Sequence, residues 1–164
     1  MKKKDKEVIQ INYKELSKGS WNETEEMNVR LVLDFVQKLM NDHDFEYVKK
    51  TFGNNNYKQH NRSMNEGIGG VIEYVSSLVK RFPEYTYDVK HIYADGDHVI
   101  FHSHSTINSK HRGNADKGVN IFDTWKVRDG KIIEHWDAIQ AVDGFMRAFA
   151  LFTGGKVRNS NTLY

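Results

Sequence analysis

Ile121-Phe122-Asp123-Thr124-Trp125-Lys126-Val127-Arg128-Asp129-Gly130-Lys131-Ile132-Ile133-Glu134-His135-Trp136-Asp137-Ala138-Ile139 is the stretch on which the fold turns. Apolar and polar residues alternate on both sides of Asp129-Gly130, the pattern of two antiparallel strands joined by a tight turn. Two registers are open to it. A two-residue Asp129-Gly130 turn places Trp125 beside Glu134 and Asp123 beside Trp136. A three-residue loop with Gly130 as a bulge instead pairs Val127 with Lys131, Trp125 with Ile133, Asp123 with His135 and Ile121 with Asp137. Only the second gathers Ile121, Trp125, Val127, Ile133 and Ile139 on one face, and a buried face specifies register strongly. The second is therefore the expected register. It turns Asp123, His135 and Asp137 toward the same otherwise apolar face, as direct and diagonal neighbours.

Buried carboxylates are costly unless paired or hydrogen-bonded. Two of them flanking an imidazole can share protons, with one pKa raised by burial and like charge. That is how a general base is brought toward neutral pH. A satisfied structural network, or a strand end where Asp137 reaches water, would use the same residues.

Upstream of the hairpin, two further strands are expected. Tyr85, Tyr87, Val89, His91 and Tyr93 alternate with Thr86, Asp88, Lys90 and Ile92, and Asp95-Gly96 signals a turn into a strand over residues 98–107. Before them the period is helical. Met27, Leu31, Val32, Phe35 and Leu39 recur at helical spacing, with Asn22 or Thr24 as cap and Glu25 and Glu26 in the first turn. A short helix is expected over 45–52, a short strand over 57–60, and a third helix over 68–81, stopped by Pro83. Residues 144–152 read as a final amphipathic helix. Residues 1–22 form a loosely attached arm, in which Ile9, Ile11 and Tyr13 alternate as an edge strand would. The expected organisation is thus an arm over 1–22, one domain over 23–153 and a tail over 154–164. Helices followed by an antiparallel meander imply an α+β domain whose helices lie on one face of a bent sheet, enclosing a pocket.

The 164 residues suffice for one domain with a real core; 38% are apolar and 12% aromatic, so disorder is excluded. A net charge of +2 gives no electrostatic case for nucleic acid. No stretch approaches the ~20 apolar residues that span a bilayer, and no apolar run of signal length follows the basic start at residues 1–6. Cysteine is absent, which removes thiol nucleophiles and thiolate metal sites and suits a reducing compartment. A soluble, cytoplasmic protein is expected.

A second cluster lies on the middle strand, where His98, His102 and His104 share one parity. His102-x-His104 places two imidazoles on one face, a spacing a metal can use. With Gly96 ahead of it, this resembles the opening of a cupin motif. The Glu expected after His104 is missing, since Ser105-Thr106-Ile107-Asn108-Ser109 follows. No metal site is expected; these histidines line the pocket or face solvent. His60 ends the short strand that would cross the pocket mouth.

Taken together, Tyr57-x-Gln59-His60-Asn61, Gly67, Ala94-Asp95-Gly96-Asp97, His102-x-His104 and the stretch from Phe122 to Gln140 resemble the SnoaL-like polyketide cyclase branch of the nuclear-transport-factor-2-like (NTF2-like) superfamily. The resemblance covers about residues 25 to 140, and Asn161-Thr162-Leu163-Tyr164 is similar to an aromatic-ending tail of that branch. It implies a cone-shaped α+β barrel, with N-terminal helices packed on a strongly curved, mostly antiparallel sheet. It also implies a homodimer through the outer face of the sheet, with Trp136 and Ile132 as contacts. Asp137 matches the cyclase base, which removes a proton next to a carbonyl so that the enolate closes a ring by aldol addition, without metal or organic cofactor. A histidine of the preceding strand assists in those cyclases, and Asp123 stands in its place here. The function implied is an acid–base enzyme (cyclase, isomerase or hydrolase) acting on a small carbonyl compound. Asp137 would be its base, Asp123 and His135 would tune it, and His60, His102, His104, Trp125 and Tyr57 would line the pocket. The alternative is a non-catalytic ligand-binding or dimerisation module.

Overall fold

A computed structural model describes residues 8–153 and 157–162. The basic start at residues 1–6, and Leu163 and Tyr164 of the tail, lie outside the described residues. Helix α1 (Tyr13–Leu16) is capped by Asn12. The arm is packed rather than loosely attached, and it adds no edge strand: Ile9 is buried, its backbone held with that of Ile11 by the Gln37 side chain.

Helix α2 (Glu23–Val36) begins with a reciprocal cap: Asn22 Oδ1 accepts from Glu25 N at 3.0 Å, and Glu25 Oε2 accepts from Asn22 N at 2.9 Å. Its inner stripe of Val29, Val32, Leu33, Phe35 and Val36 is buried. The helix then widens into a π-helical segment over Gln37–Asp42, a distortion that collects at functional sites. The buried Asn41 side chain there clasps the backbone of Tyr87 from both sides, donating to its carbonyl at 3.0 Å and accepting from its N–H at 3.2 Å. Helices α3 (Phe45–Phe52) and α4 (Gly67–Arg81) fall where the apolar spacing predicts them, with Pro83 beyond the end of α4. Helix α5 (Gly144–Thr153) closes the chain of elements.

The strands are β1 (Lys58–Gln59), β2 (Thr86–Asp95), β3 (His98–Thr106), β4 (Val119–Arg128) and β5 (Lys131–Ala141), in the spatial order β1-β5-β4-β3-β2. β1 runs parallel to β5 and every other pair is antiparallel. The architecture is the expected α+β one with a mostly antiparallel sheet, but the sheet is not closed into a barrel: β1 and β2 remain its edges.

Two bulges set which side chains face inward. In the last hairpin, Arg128 pairs with Lys131, so the turn holds two residues, Asp129 at φ 50° and Gly130 at φ 67°. Left-handed φ at both positions is the I′ geometry that Asp-Gly favours, and it matches the twist of the strands. Ile133 is then the extra residue, because Val127 pairs with Ile132 and Lys126 with Glu134. The expected three-residue loop is therefore corrected. Asp123 lies opposite Asp137 and Trp125 opposite His135. The apolar face survives by a different device, with Ile132 fully buried in place of Ile133. Ile132 is thereby removed from the outer face on which a dimer contact was expected.

In β2 the extra residue is Lys90, since Val89 pairs with Ser103 and His91 with His102. Inward parity passes from Tyr85, Tyr87 and Val89 to Ile92, which leaves Tyr93 47% exposed. The expected unbroken alternation through Tyr93 ends at that bulge. The turn that follows is Gly96-Asp97, one residue later than expected.

Candidate functional site

Between α2, α4, α5 and the inner face of the sheet lies a cavity of about 320 Å³. Phe35, Leu39, Val71, Val75, Ile121 and Trp125 give it an apolar wall, into which Asp123, His135 and Asp137 project. One side-chain donor atom from each of these three lies within 4.8 Å of the others.

Parity on β4 and β5 puts the three on one wall, and hydrogen bonds then orient them. Gln59, fully buried on β1 opposite His135, accepts at Oε1 from Asn61 N at 2.8 Å and meets His135 Nδ1 at 3.0 Å. The Asn61 N–H requires an acceptor, which fixes the amide so that oxygen faces the imidazole. His135 Nδ1 therefore carries a hydrogen. On its other side, His135 Nε2 lies 3.1 Å from Asp123 Oδ1. A bond there needs a proton on one of the two, either imidazolium on carboxylate or imidazole on carboxylic acid. In both forms the pair is neutral overall. Asp123 Oδ2 accepts a short hydrogen bond from the Tyr87 hydroxyl. Burial, followed by the negative field of Asp123, holds the Tyr87 phenol far above its ordinary value, so it stays a donor.

Asp137 is less enclosed. Its Oδ2 accepts from Asn61 Nδ2 at 2.5 Å, and Asn61 is itself oriented because its Oδ1 accepts from Ser63 N at 2.9 Å. The Oδ1 of Asp137 takes no hydrogen bond from any described residue. Burial raises the Asp137 pKa; His135 pulls it down, Asp123 pushes it up, and the Asn61 bond lowers it. The net shift is upward, the direction that makes a carboxylate a stronger base.

The other expected pocket residues divide. Trp125 lines the cavity. Tyr57 does not: it is buried behind the imidazole of His135, its ring centroid 6.2 Å away and nearly parallel. His102 and His104 lie on the outer face, because the parity of Val99 and Phe101, both fully buried, points inward on β3. His102 Nε2 bonds Asn120 Oδ1 at 2.6 Å, and its ring stacks on Phe122 at 4.3 Å; His104 Nε2 bonds Lys117 O at 2.7 Å. His60 follows Gln59 and so faces outward too, stacked on Trp136 at 4.7 Å, with Nε2 2.8 Å from Glu134 Oε1 and Nδ1 on the carbonyl of Thr162. These three placements correct the expectation that the histidines converge on the pocket.

Gln59, Asn61 and Tyr87 are site residues to which sequence reasoning assigned no role. For the first two the signal was present in Tyr57-x-Gln59-His60-Asn61, adjacent polar residues entering a strand with alternate parity. For Tyr87 there was none beyond its inward parity.

Asp123, His135 and Asp137 offer three donor atoms to a metal. Their geometry fits one poorly: His135 Nε2 already faces Asp123 Oδ1, and the second Asp123 oxygen is held by Tyr87. A cation would have to break both bonds.

Residues 30–147 match the family model of the SnoaL-like polyketide cyclases, well over half of the chain. Three solved structures illustrate the likeness. A protein from Bacillus cereus ATCC 10987 described as a candidate polyketide cyclase is 19% identical, with TM-score 0.62 over 85% of this chain and 89% of that one. A candidate SnoaL-like polyketide cyclase from Jannaschia sp. CCS1 is 17% identical, with TM-score 0.60 over 81% and 96%. Bal32a, from a soil-derived mobile gene cassette, is 14% identical, with TM-score 0.60 over 79% and 98%. At these identities the likeness is one of fold. No curated protein matches the sequence.

Proposed function

The chain belongs to the SnoaL-like polyketide cyclase family, and from that premise we propose that it is a cofactor-independent acid–base enzyme acting on a carbonyl compound. The observation that carries this reading is Asp137: a half-buried carboxylate with one oxygen anchored by Asn61 and the other left without a described partner beside an apolar cavity. Its Oδ1 takes the proton from a carbon next to the carbonyl. The enolate that remains adds to an electrophile within the same substrate or recovers the proton elsewhere, which gives cyclisation or isomerisation. The neutral His135–Asp123 pair keeps the neighbourhood of Asp137 from accumulating a second uncompensated charge.

His135 is not the proton donor to substrate, because both its nitrogens are engaged within the protein. The donor facing the developing oxyanion is the Tyr85–Ser105 hydroxyl pair, whose oxygens lie 3.1 Å apart on the cavity wall. Burial keeps the Tyr85 phenol well above its ordinary value and therefore protonated.

The test is hydrogen–deuterium exchange at the activated carbon of a panel of 2-alkyl β-keto esters, followed by proton NMR. Wild type is expected to accelerate exchange for at least one member, and Asp137→Asn to abolish the acceleration. Undiminished exchange by Asp137→Asn would remove Asp137 as base. A non-catalytic binding module is the second reading, favoured by the closed bonding of Asp123 and His135. It predicts that no member of the panel exchanges in wild type.

A further inference from the structure

A second cleft, about 250 Å³, runs along α4 and shares Tyr74, Leu78 and Phe149 with the wall of the Asp137 cavity. The two spaces differ in charge. Asp137 makes the inner one acidic, the Asp123–His135 pair beside it being neutral, whereas the outer cleft is lined by Arg81 and Arg158, both exposed. Its one carboxylate among the described residues, Glu73, accepts from Asn65 Nδ2 at 2.8 Å. Among the described residues neither arginine forms an ion pair.

The Arg81 side chain and the Arg158 backbone are both anchored at the cleft. The Arg81 guanidinium lies over the rings of Phe82 and Phe149, 5.3 and 5.1 Å from their centroids, which holds its planar fork against the apolar wall. Arg158 is fixed through its backbone, its N–H bonding Arg62 O at 2.8 Å. The next residue, Asn159, hooks the carbonyls of Asn61 and Met64, both at 2.9 Å. Tyr74, between the two spaces, lies within electrostatic reach of Asp137 on one side and Arg158 on the other.

We propose that the ligand is an amphipathic carboxylate: an apolar, carbonyl-bearing body in the inner cavity and its carboxylate in the outer cleft on Arg81 and Arg158. The placement of the carbonyl end rests on Asp137 as base; the placement of the carboxylate does not. A carboxylate cannot share the inner cavity with Asp137 without adding like charge to a desolvated site. Two guanidiniums with no ion-pair partner among the described residues make the opposite end favourable, through charge-assisted and bidentate bonds. The charge difference between the two ends also sets orientation, since the reversed ligand meets Asp137 with its carboxylate.

The test compares 6-phenylhexanoate with 6-phenylhexanamide, which share a skeleton and differ in charge, by titration calorimetry on the full chain. Wild type is expected to bind the acid about tenfold more tightly than the amide. The double substitution Arg81→Gln/Arg158→Gln is expected to bring the acid down to the amide and leave the amide unchanged. Lys110→Gln/Lys131→Gln, which removes equal charge elsewhere, is expected to preserve the preference. Equal affinities in wild type, or a preference that survives loss of both arginines, would overturn the proposal. The outcome is independent of the β-keto ester experiment. An arginine-dependent preference without exchange keeps the cleft and drops the base; exchange without the preference does the reverse.

Discussion

Asp137 and Gln59 carry the site at the scale of single residues, and each has a measurable signature. Because burial raises the Asp137 pKa, the folded protein binds its proton more tightly than the unfolded chain does. Stability contributed by this group is present below the ordinary aspartate pKa of about 3.9 and is lost as pH rises through the elevated folded value. Asp137→Asn should therefore raise the melting temperature at pH 7 and show a shrinking advantage as pH falls toward about 4. In a domain of this size about 1 kcal/mol corresponds to about 2–4 °C in melting temperature. An advantage independent of pH would contradict the elevated pKa. Gln59→Leu removes the acceptor of both Asn61 N–H and His135 Nδ1–H, at an expected cost of about 1–3 kcal/mol in denaturant unfolding. Nitrogen-resolved NMR of the His135 ring should show the hydrogen-bonded Nδ1–H signal in wild type and its loss in the variant. At this scale the sequence was half legible. Asp123, His135 and Asp137 stand out because charged residues share an apolar parity. His102 and His104 drew attention by their spacing, although Val99 and Phe101 on the alternate positions already assigned that parity to the core.

At the scale of elements, the long helices α2 and α4 were readable and the bulges were not. Apolar residues three and four apart, the Asn22–Glu25 cap and Pro83 define α2 and α4 without tertiary information. A bulge leaves no comparable mark. One residue is inserted where two strands must both satisfy a tight turn and a buried face, and Ile132 and Ile133 are equally apolar. The structure separates them: Ile132 is fully buried, while Ile133 is only half-buried at the bulge. Ile132→Ala should cost about 2–5 kcal/mol and Ile133→Ala less than about 1 kcal/mol in urea unfolding. The reverse order would restore the three-residue loop. Gly130→Val, at φ 67°, should cost about 1–2 kcal/mol from backbone strain alone.

At the scale of the whole molecule, the outer face of the sheet differs in character from the inner one. Tyr93 and Phe122 are exposed there, and His91, His102 and Phe122 form a continuous stack with centroids 5.4 and 4.3 Å apart. With Trp136 on the same face, we propose this surface as the contact of a homodimer, and Phe122→Lys should convert the dimer to monomer in sedimentation velocity. A wild-type monomer would refute the contact. Among the described residues no helix is long and apolar enough to cross a membrane. The sequence could suggest a sheet with an outer contact face; it could not show the joining of residues distant along the chain. Gln59 and Asn61 reach their partners His135 and Asp137 across 76 residues, and Asn159 and Asn161 grip Asn61 and Gln59 across 98 and 102. Chains are made from the N-terminus and structure forms as synthesis proceeds. The residues that orient the base are thus among the earlier ones synthesised, and their backbone contacts with Asn159 and Asn161 can form only after residues 157–162 have emerged. The tail segment is therefore part of the scaffold of the site, since its two asparagines hold the backbone from which the Gln59 and Asn61 side chains reach inward.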